Sequence, residues 1–446
     1  METVYGFFSE YFIYLWFIAV LGIVVFVHEL GHYLVGRWCG IDAEVFSVGF
    51  GRELFAWVDK RGTRWRVGLL PLGGYVKYLG DADGASRADP DALARMDPAI
   101  RARSFHGATV WRRALAVAAG PVFNFVFSIL VFAGLGLWFG TAQDDPIVGN
   151  VFDHPGYVTG LQTGDRLISV NGEPIERLSS LYGLANEMDA AAPMSVVLER
   201  DGTRIETEIA YVLPPLVGSV QPFSAAWRAG LEEGDLILSI DGQAVPSFAA
   251  LRETVLASEG QELAVQYQRG DAIRDAVMVP KITDIPDGQG GFEKRVLIGV
   301  GIKYVASAVI ERPGPIEAIG IGIDRTWSVI TNSISGLIHI IRGDVSATNL
   351  QGPIGIAHLS GEMAKMGIDR LITLIALISS AIGLLNLFPI PVLDGGHLLF
   401  LGIEAVRGRP PSERWVEYAS AVGLALVLLL MLFATYNDVL RLFGLV

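Results

Sequence analysis

The sequence predicts a polytopic α-helical membrane protein of about four transmembrane helices. It adds a membrane-associated β-hairpin or strand element after the first helix and two small β-rich domains inserted between the second and third. Three observations predict this. Four stretches are apolar over the roughly 20 residues that a helix needs to cross a bilayer. One 16-residue pattern recurs about 70 residues further along the chain. The first apolar stretch, "FIYLWFIAVLGIVVFVHELGHYLVG", carries His28, Glu29 and His32 without leaving its hydrophobic run.

Composition agrees. A chain of 446 residues exceeds one ordinary core, so two or more folding units are expected. Its 51% hydrophobic residues and mean hydropathy of +0.44 exceed what a water-solvated protein carries, and its 18% charged residues fall below it. A single cysteine, Cys39, excludes an intrachain disulfide. A net charge of -13 speaks against nucleic acid as a partner.

The spans are read as Tyr11–Gly36, Ala114–Phe139, Leu371–Ile403 with an interruption, and Ala419–Tyr436. The first starts beside Glu2 and Glu10 rather than lysine or arginine, so it is read as a retained anchor and not a signal peptide. Lys and Arg crowd two loops, Arg37 to Arg113 and Arg407 to Arg414, which makes those loops cytoplasmic and the acid-rich region between spans two and three external. Trp327–Ile341 is read as an interfacial amphipathic helix. The resulting organisation is a first transmembrane helix (1–36), a cytoplasmic loop with the hairpin (37–113) and a second helix (114–140). Two β-rich domains (141–212 and 213–305) and an external amphipathic helical segment (306–370) follow. A third helix (371–403), a cytoplasmic loop (404–418) and a fourth helix (419–446) complete it.

Within the outer region, "GLQTGDRLISVNGEPI" (Gly160–Ile175) aligns with "GLEEGDLILSIDGQAV" (Gly230–Val245). Each copy opens a strand after Gly-Asp and closes it at Asn171-Gly172 or Asp241-Gly242, dipeptides suited to hairpin turns with positive φ. The pattern resembles the circularly permuted PDZ domain of bacterial proteases, a module that takes extended peptides on a sheet edge. Trp227 stands where it would fill the second groove.

On a helix, His28 and His32 project from one face and Glu29 lies roughly 100° around. Two imidazoles at that spacing can share a metal, and the adjacent carboxylate can take a proton from water, the H-E-x-x-H logic. Ionisable groups in hydrocarbon need a partner or a function, which strengthens the reading. A catalytic zinc needs a third donor. "NLFPIPVLDGGH" (Asn386–His397) interrupts the third span with Pro389 and Pro391 and supplies Asp394, with His397 as competitor. Cys39 shares the face of His32 but sits about 10 Å further along the axis. His106, His154, His339 and His358 stand alone.

His28-Glu29-x-x-His32, "NLFPIPVLDGG", "GPVFNF" (Gly120–Phe125) and the repeated insertion together resemble the site-2 protease family of intramembrane zinc metalloproteases over nearly the whole chain. The resemblance implies Zn2+ held by His28, His32 and Asp394, with Glu29 as general base and acid and Asn386 on the substrate backbone. It also implies that "PLGGYVKY", with Gly73, Gly74 and Tyr75, is a membrane-associated β element that receives an unwound substrate. The expected setting is the bacterial inner membrane, with the PDZ-like pair periplasmic and the active site toward the cytoplasm. Expected substrates are single-span proteins such as an anti-sigma factor and signal peptide remnants, screened by size at the PDZ-like pair, with membrane lipid the other partner. A non-catalytic membrane scaffold with a structural metal is the rival, and a proton or metal transporter a second. Neither finds its signature: a fourth ligand is missing, and spans two and four carry essentially no charge.

Overall fold

The computed structural model describes residues 2–82, 90–152, 154–155, 157–190, 192–286 and 292–442. Parts of the cytoplasmic-loop and fourth-helix assignments, 83–89 and 443–446, lie outside them. The chain divides into two compact units, Met1–Leu137 with Gly314–Ile338 and Ala347–Val446, and Trp138–Pro313 with His339–Ser346.

In the first unit α1 (Glu2–Trp38) leads into two long strands, β1 (Ala43–Val58) and β2 (Arg64–Tyr78), then α2 (Val110–Phe139). After the second unit come α3 (Pro315–Arg342), α4 (Pro353–Met366), α5 (Ile368–Asn386), α6 (Asp394–Arg407) and α7 (Glu413–Leu442). Among the described residues, four helical stretches are long and apolar enough to cross a membrane: Ile13–Trp38, Val110–Phe139, Ile368–Asn386 and Arg414–Arg441. The expected interruption of Leu371–Ile403 falls between Asn386, where one helix stops, and Asp394, where a separate one starts. Pro389 and Pro391 cannot donate to a helical ladder, and Val392 takes a φ of 148° that no helix accommodates. The amphipathic α3 starts earlier than expected, with Pro315 as its first residue, where a missing N–H costs nothing.

β1 and β2 form one bent antiparallel pair. Val45–Val48 lies opposite both Arg64–Val67 and Gly74–Lys77, so the last piece of β2 forms an outer rim of the sheet. The turn is held by Asp59, whose carboxylate accepts from the Arg61 and Thr63 amides at 2.8 and 3.0 Å and from Tyr33 Oη at 2.9 Å. An aromatic cluster of Tyr33, Phe46 and Trp65 fastens the sheet to α1. Leu54, Phe55, Leu69 and Leu70 on the distal part are exposed apolar side chains.

The second unit holds the repeat. In each copy a four-stranded sheet contains the predicted turn, with Asn171 and Asp241 both at φ 49°. The repeated aspartates explain the motif. Asp165 is fully buried and accepts from Arg200 Nε and Nη2 at 2.7 and 2.8 Å and from the Gln162 amide at 2.8 Å. Asp235 repeats this with Arg269 at 2.7 Å twice and the Glu232 amide at 2.8 Å. Each arginine also donates to the glycine carbonyl that opens its motif, Gly160 or Gly230, so the Gly-to-Asp loop is tied shut.

The expected boundary between 141–212 and 213–305 needs correction. Val148–Val151 of the first copy pairs with Ala306–Ala308, beyond the second copy, and Val305 and Ala306 are buried in the first copy's core. Val217–Val220 of the second copy pairs with Val300–Ile302. The second module is therefore nested in the first, and one returning segment closes both. A period-based reading misses this because the returning strand carries no copy of the motif. Trp227 is 41% exposed and packs against Phe223.

Burial alone would raise the Asp165 carboxyl, but the Arg200 fork and the Gln162 amide outweigh it and hold it below the usual carboxylate range. A depressed folded-state value stabilises the fold above the unfolded value of about 3.9, and this stability is lost as pH falls through the folded value. Arg200→Ala strands a buried carboxylate and should destabilise the first module by about 3 kcal/mol. Limited proteolysis of the full-length protein should show faster cleavage within 146–212, and unchanged protection would refute this account of the motif.

Candidate metal centre

The α1 helix sets His28 and His32 one turn apart, and the rings meet edge to face with centroids 4.8 Å apart. Their Nε2 atoms are 3.2 Å from each other. Asp394, the first residue of α6, brings Oδ2 to 3.1 Å from His28 Nε2 and 3.4 Å from His32 Nε2. One donor atom from each of the three lies within 4.8 Å of the others.

Both rings are held from behind by α2. His32 Nδ1 donates to the Ala116 carbonyl at 2.9 Å, which leaves the Nε2 lone pair facing the cluster. His28 Nδ1 lies 3.2 Å from the Asn124 side-chain amide. Asn124 is fully buried and its Oδ1 has no partner among the described residues; with the amide turned so that Oδ1 faces the ring, it accepts from Nδ1–H and leaves the His28 Nε2 lone pair toward the cluster. Gly120 supplies the space: a Cβ there would stand 2.6 Å from His32 Cε1 and 2.8 Å from His28 Cε1.

These residues fit a zinc ion. Two imidazole nitrogens and a carboxylate are the donor types that zinc takes, and three protein donors leave a coordination position open. Two Nε2 lone pairs facing each other beside a carboxylate with no hydrogen-bond donor on Oδ2 make a site that a cation completes.

Glu29 is buried beside this cluster at 6% exposure. The rim of β2 passes over it, since a Cβ on Gly74 would lie 2.7 Å from Glu29 Cγ and 2.6 Å from the Ser47 carbonyl. Gly73, at φ 139°, turns the strand into this position, and Tyr75 stacks with Phe50 at 6.2 Å between ring centres. Among the described residues no strand pairs with the other side of this rim. Asn386 is the last residue of α5, half-buried, and its side chain makes no hydrogen bond among the described residues.

His397 and Cys39 are outside the three-donor group. His106 lies 3.2 Å from Asp81, and His339 lies 2.9 Å from Asp344.

Residues 16–430 match the model of Peptidase family M50. The chain belongs to peptidase family M50. Similar proteins include a zinc metalloprotease of Rhizobium meliloti, 39% identical over 429 residues that make up 96% of each chain. A zinc metalloprotease of Agrobacterium fabrum is 37% identical over 430 residues, again 96% of each. The regulator of sigma-E protease RseP of Escherichia coli is 35% identical over 466 residues, 96% of this chain and 98% of its own. A PDZ domain of an SdrC-like protein from Listeria monocytogenes aligns with 20% of this chain at 25% identity and a TM-score of 0.17. The protein is an intramembrane zinc metalloprotease of the site-2 type, with several apolar helices suited to a multi-pass membrane location.

Three supporting groups escaped the sequence reading: the Ala116 carbonyl, the space at Gly120 and the Asn124 side chain. A signal existed for the last two, since "GPVFNF" puts a glycine, a proline and a polar amide into a membrane helix. The Ala116 carbonyl has no sequence signature at all. Gly120→Ala should weaken zinc binding at least about tenfold, the usual scale for disturbing the support of a ligand. Zinc content of the membrane-inserted, purified variant measures this, and full occupancy at wild-type affinity would contradict the packing argument.

Proposed function

We propose that His28, His32 and Asp394 hold the zinc and that Glu29 is general base and then general acid in peptide-bond hydrolysis. The observation that carries the reading is a buried carboxylate, Glu29, between a three-donor cluster and an unpaired strand rim. Zinc, when bound, supplies Lewis acidity that polarises a carbonyl and acidifies water. Glu29 takes the proton released as water attacks the scissile carbonyl and returns it to the departing amine. The Gly73–Tyr75 rim receives the unwound substrate as an added strand, and the free amide of Asn386 contacts its backbone.

The substrates are single-span membrane proteins. The name of the Escherichia coli relative, a regulator of sigma-E, supports an anti-sigma factor among them, with signal peptide remnants as a second class. The nested β modules are two PDZ-like domains on the periplasmic side of a bacterial inner membrane, acting as a size filter. The arginine-rich first loop and the active site face the cytoplasm, as the Lys and Arg distribution favours. A structural metal in a scaffold is the weaker reading, since a structural zinc takes four protein donors and three come together among the described residues.

Glu29→Gln should keep zinc and lose cleavage of a single-span substrate by three orders of magnitude or more, on the order of what an essential proton-transfer group supplies. Asp394→Ala should lose the metal. Retained cleavage in the first or retained zinc in the second would sink the assignment. In a Cys39→Ser background, a cysteine placed at Asp241 should label from outside intact cells and one at Lys60 should not, and the reverse pattern would overturn the orientation.

A further inference from the structure

The α2 helix orients two of the three donors, through Ala116 to His32 and Asn124 to His28. The third donor has no such support from its own chain. Asp394 follows a stretch broken by Pro389, Pro391 and Val392 at φ 148°, and Leu393, which precedes α6, makes no side-chain cap. The helical ladder of α5 therefore does not continue into α6, although Gly395 and Gly396 pack closely on the Leu387 and Ile390 carbonyls. Leu398 and Leu401 of α6 pack in one apolar cluster with Val110, Ala114, Ala116 and Val117 of α2, and an ion pair adds a directional tie: Arg113 Nη2 donates to Glu404 Oε1 at 2.5 Å, with side chains 12% and 15% exposed. Arg113 stands one turn before Ala116 on the same helix, and Arg113 Nε has no other partner among the described residues.

We propose that the Arg113–Glu404 pair is a positioning clamp for the metal centre, registering α6, and with it Asp394, against the helix that already orients both imidazoles. The proposal rests on Asp394 as third donor. Glu404 lies ten residues past Asp394, about 15 Å along the helix axis, so it touches neither metal nor substrate and acts through α6 as a rigid body. A guanidinium–carboxylate contact suits this task because it is directional, and this half-buried one has little water to replace it when broken. The apolar contacts of α6, Phe400 with Trp415 of α7 at 5.5 Å between centroids and Leu398 and Leu401 with α1 and α2, hold the helix in place but lack the directionality that sets its register.

The test uses the full-length chain in detergent, with zinc affinity read by chelator competition and the site geometry by the visible absorption of the cobalt-loaded protein. Arg113→Gln and Glu404→Gln should each weaken zinc about tenfold, the scale of a lost supporting contact, and shift the cobalt bands. The reversed pair, Arg113→Glu with Glu404→Arg, should recover most of the affinity and the original bands. A lower melting temperature with zinc affinity and cobalt bands unchanged would reduce the pair to a fold contact and overturn the proposal. Should neither single variant fold, Arg113→Met with Glu404→Leu leaves no charge buried alone. It should fold with the same tenfold loss, and wild-type affinity in it would overturn the clamp. Asp394→Ala measured alongside keeps the two questions apart, because retained zinc there refutes the ligand assignment whatever the clamp does.

Discussion

The close backbone approach of α1 and α2 is the constraint from which the metal centre follows. A Cβ on Gly31 would lie 2.9 Å from both the Ala119 carbonyl carbon and Phe123 Cβ, so the two helices meet with no side chain between them at that level. Lipid offers no hydrophobic incentive for helices to associate, and such small-residue contacts bring backbones near enough for dispersion and polar contacts to act. Only at that spacing can the His32 ring, one residue along α1, reach the Ala116 carbonyl, and the same crossing leaves Gly120 as the floor under both rings. Ionisable groups that would be costly in hydrocarbon are thereby turned inward, where each finds a partner.

The parts of this arrangement that are local in sequence were legible there. The i, i+4 spacing of His28 and His32 is a property of one helix, and the proline-rich break announces itself wherever two prolines stand in an apolar run. The turn residues Asn171 and Asp241 likewise carry their conformational demand in their identity. What failed to show was non-local. The partner of His32 is a main-chain carbonyl 84 residues away, which any residue type could provide. The strand that closes the first β module comes after the second, and its short Ala-Ser-Ala run has no period strong enough to announce a strand.

The two units also use charge in opposite ways. In the β modules the ion pairs Asp165–Arg200 and Asp235–Arg269 close loops that the repeat motif already delimits, so each pair reinforces a local turn and its partner is predictable from the copy. In the membrane unit a buried carboxylate at Asp438 instead reaches the amides of Gly352 and Gly355, at 3.0 and 2.9 Å, across 86 and 83 residues. There it satisfies the exposed N–H groups at the start of α4, a helix end with no capping side chain of its own. Where water is scarce, an orphan amide is expensive enough that a distant helix supplies its partner.

The same scarcity bears on the rim of β2. A transmembrane substrate arrives with its amides paired internally, and opening one helical turn in a dry site exposes several groups, each costing several kcal/mol if left alone. A catalytic carboxylate and a metal do nothing to offset that cost. An unpaired strand edge does, because it offers alternating donors and acceptors in the register an extended chain needs. The rim that passes over Glu29 has this property, and Gly74 is what lets its backbone approach: any side chain there would collide with the Glu29 Cγ methylene and with the Ser47 carbonyl of the neighbouring strand. In the proposed mechanism a glycine at that position brings two requirements into one place, a backbone free to pair with substrate and the Glu29 side chain close beside it. Moving the rim outward by the width of a methyl group would separate them.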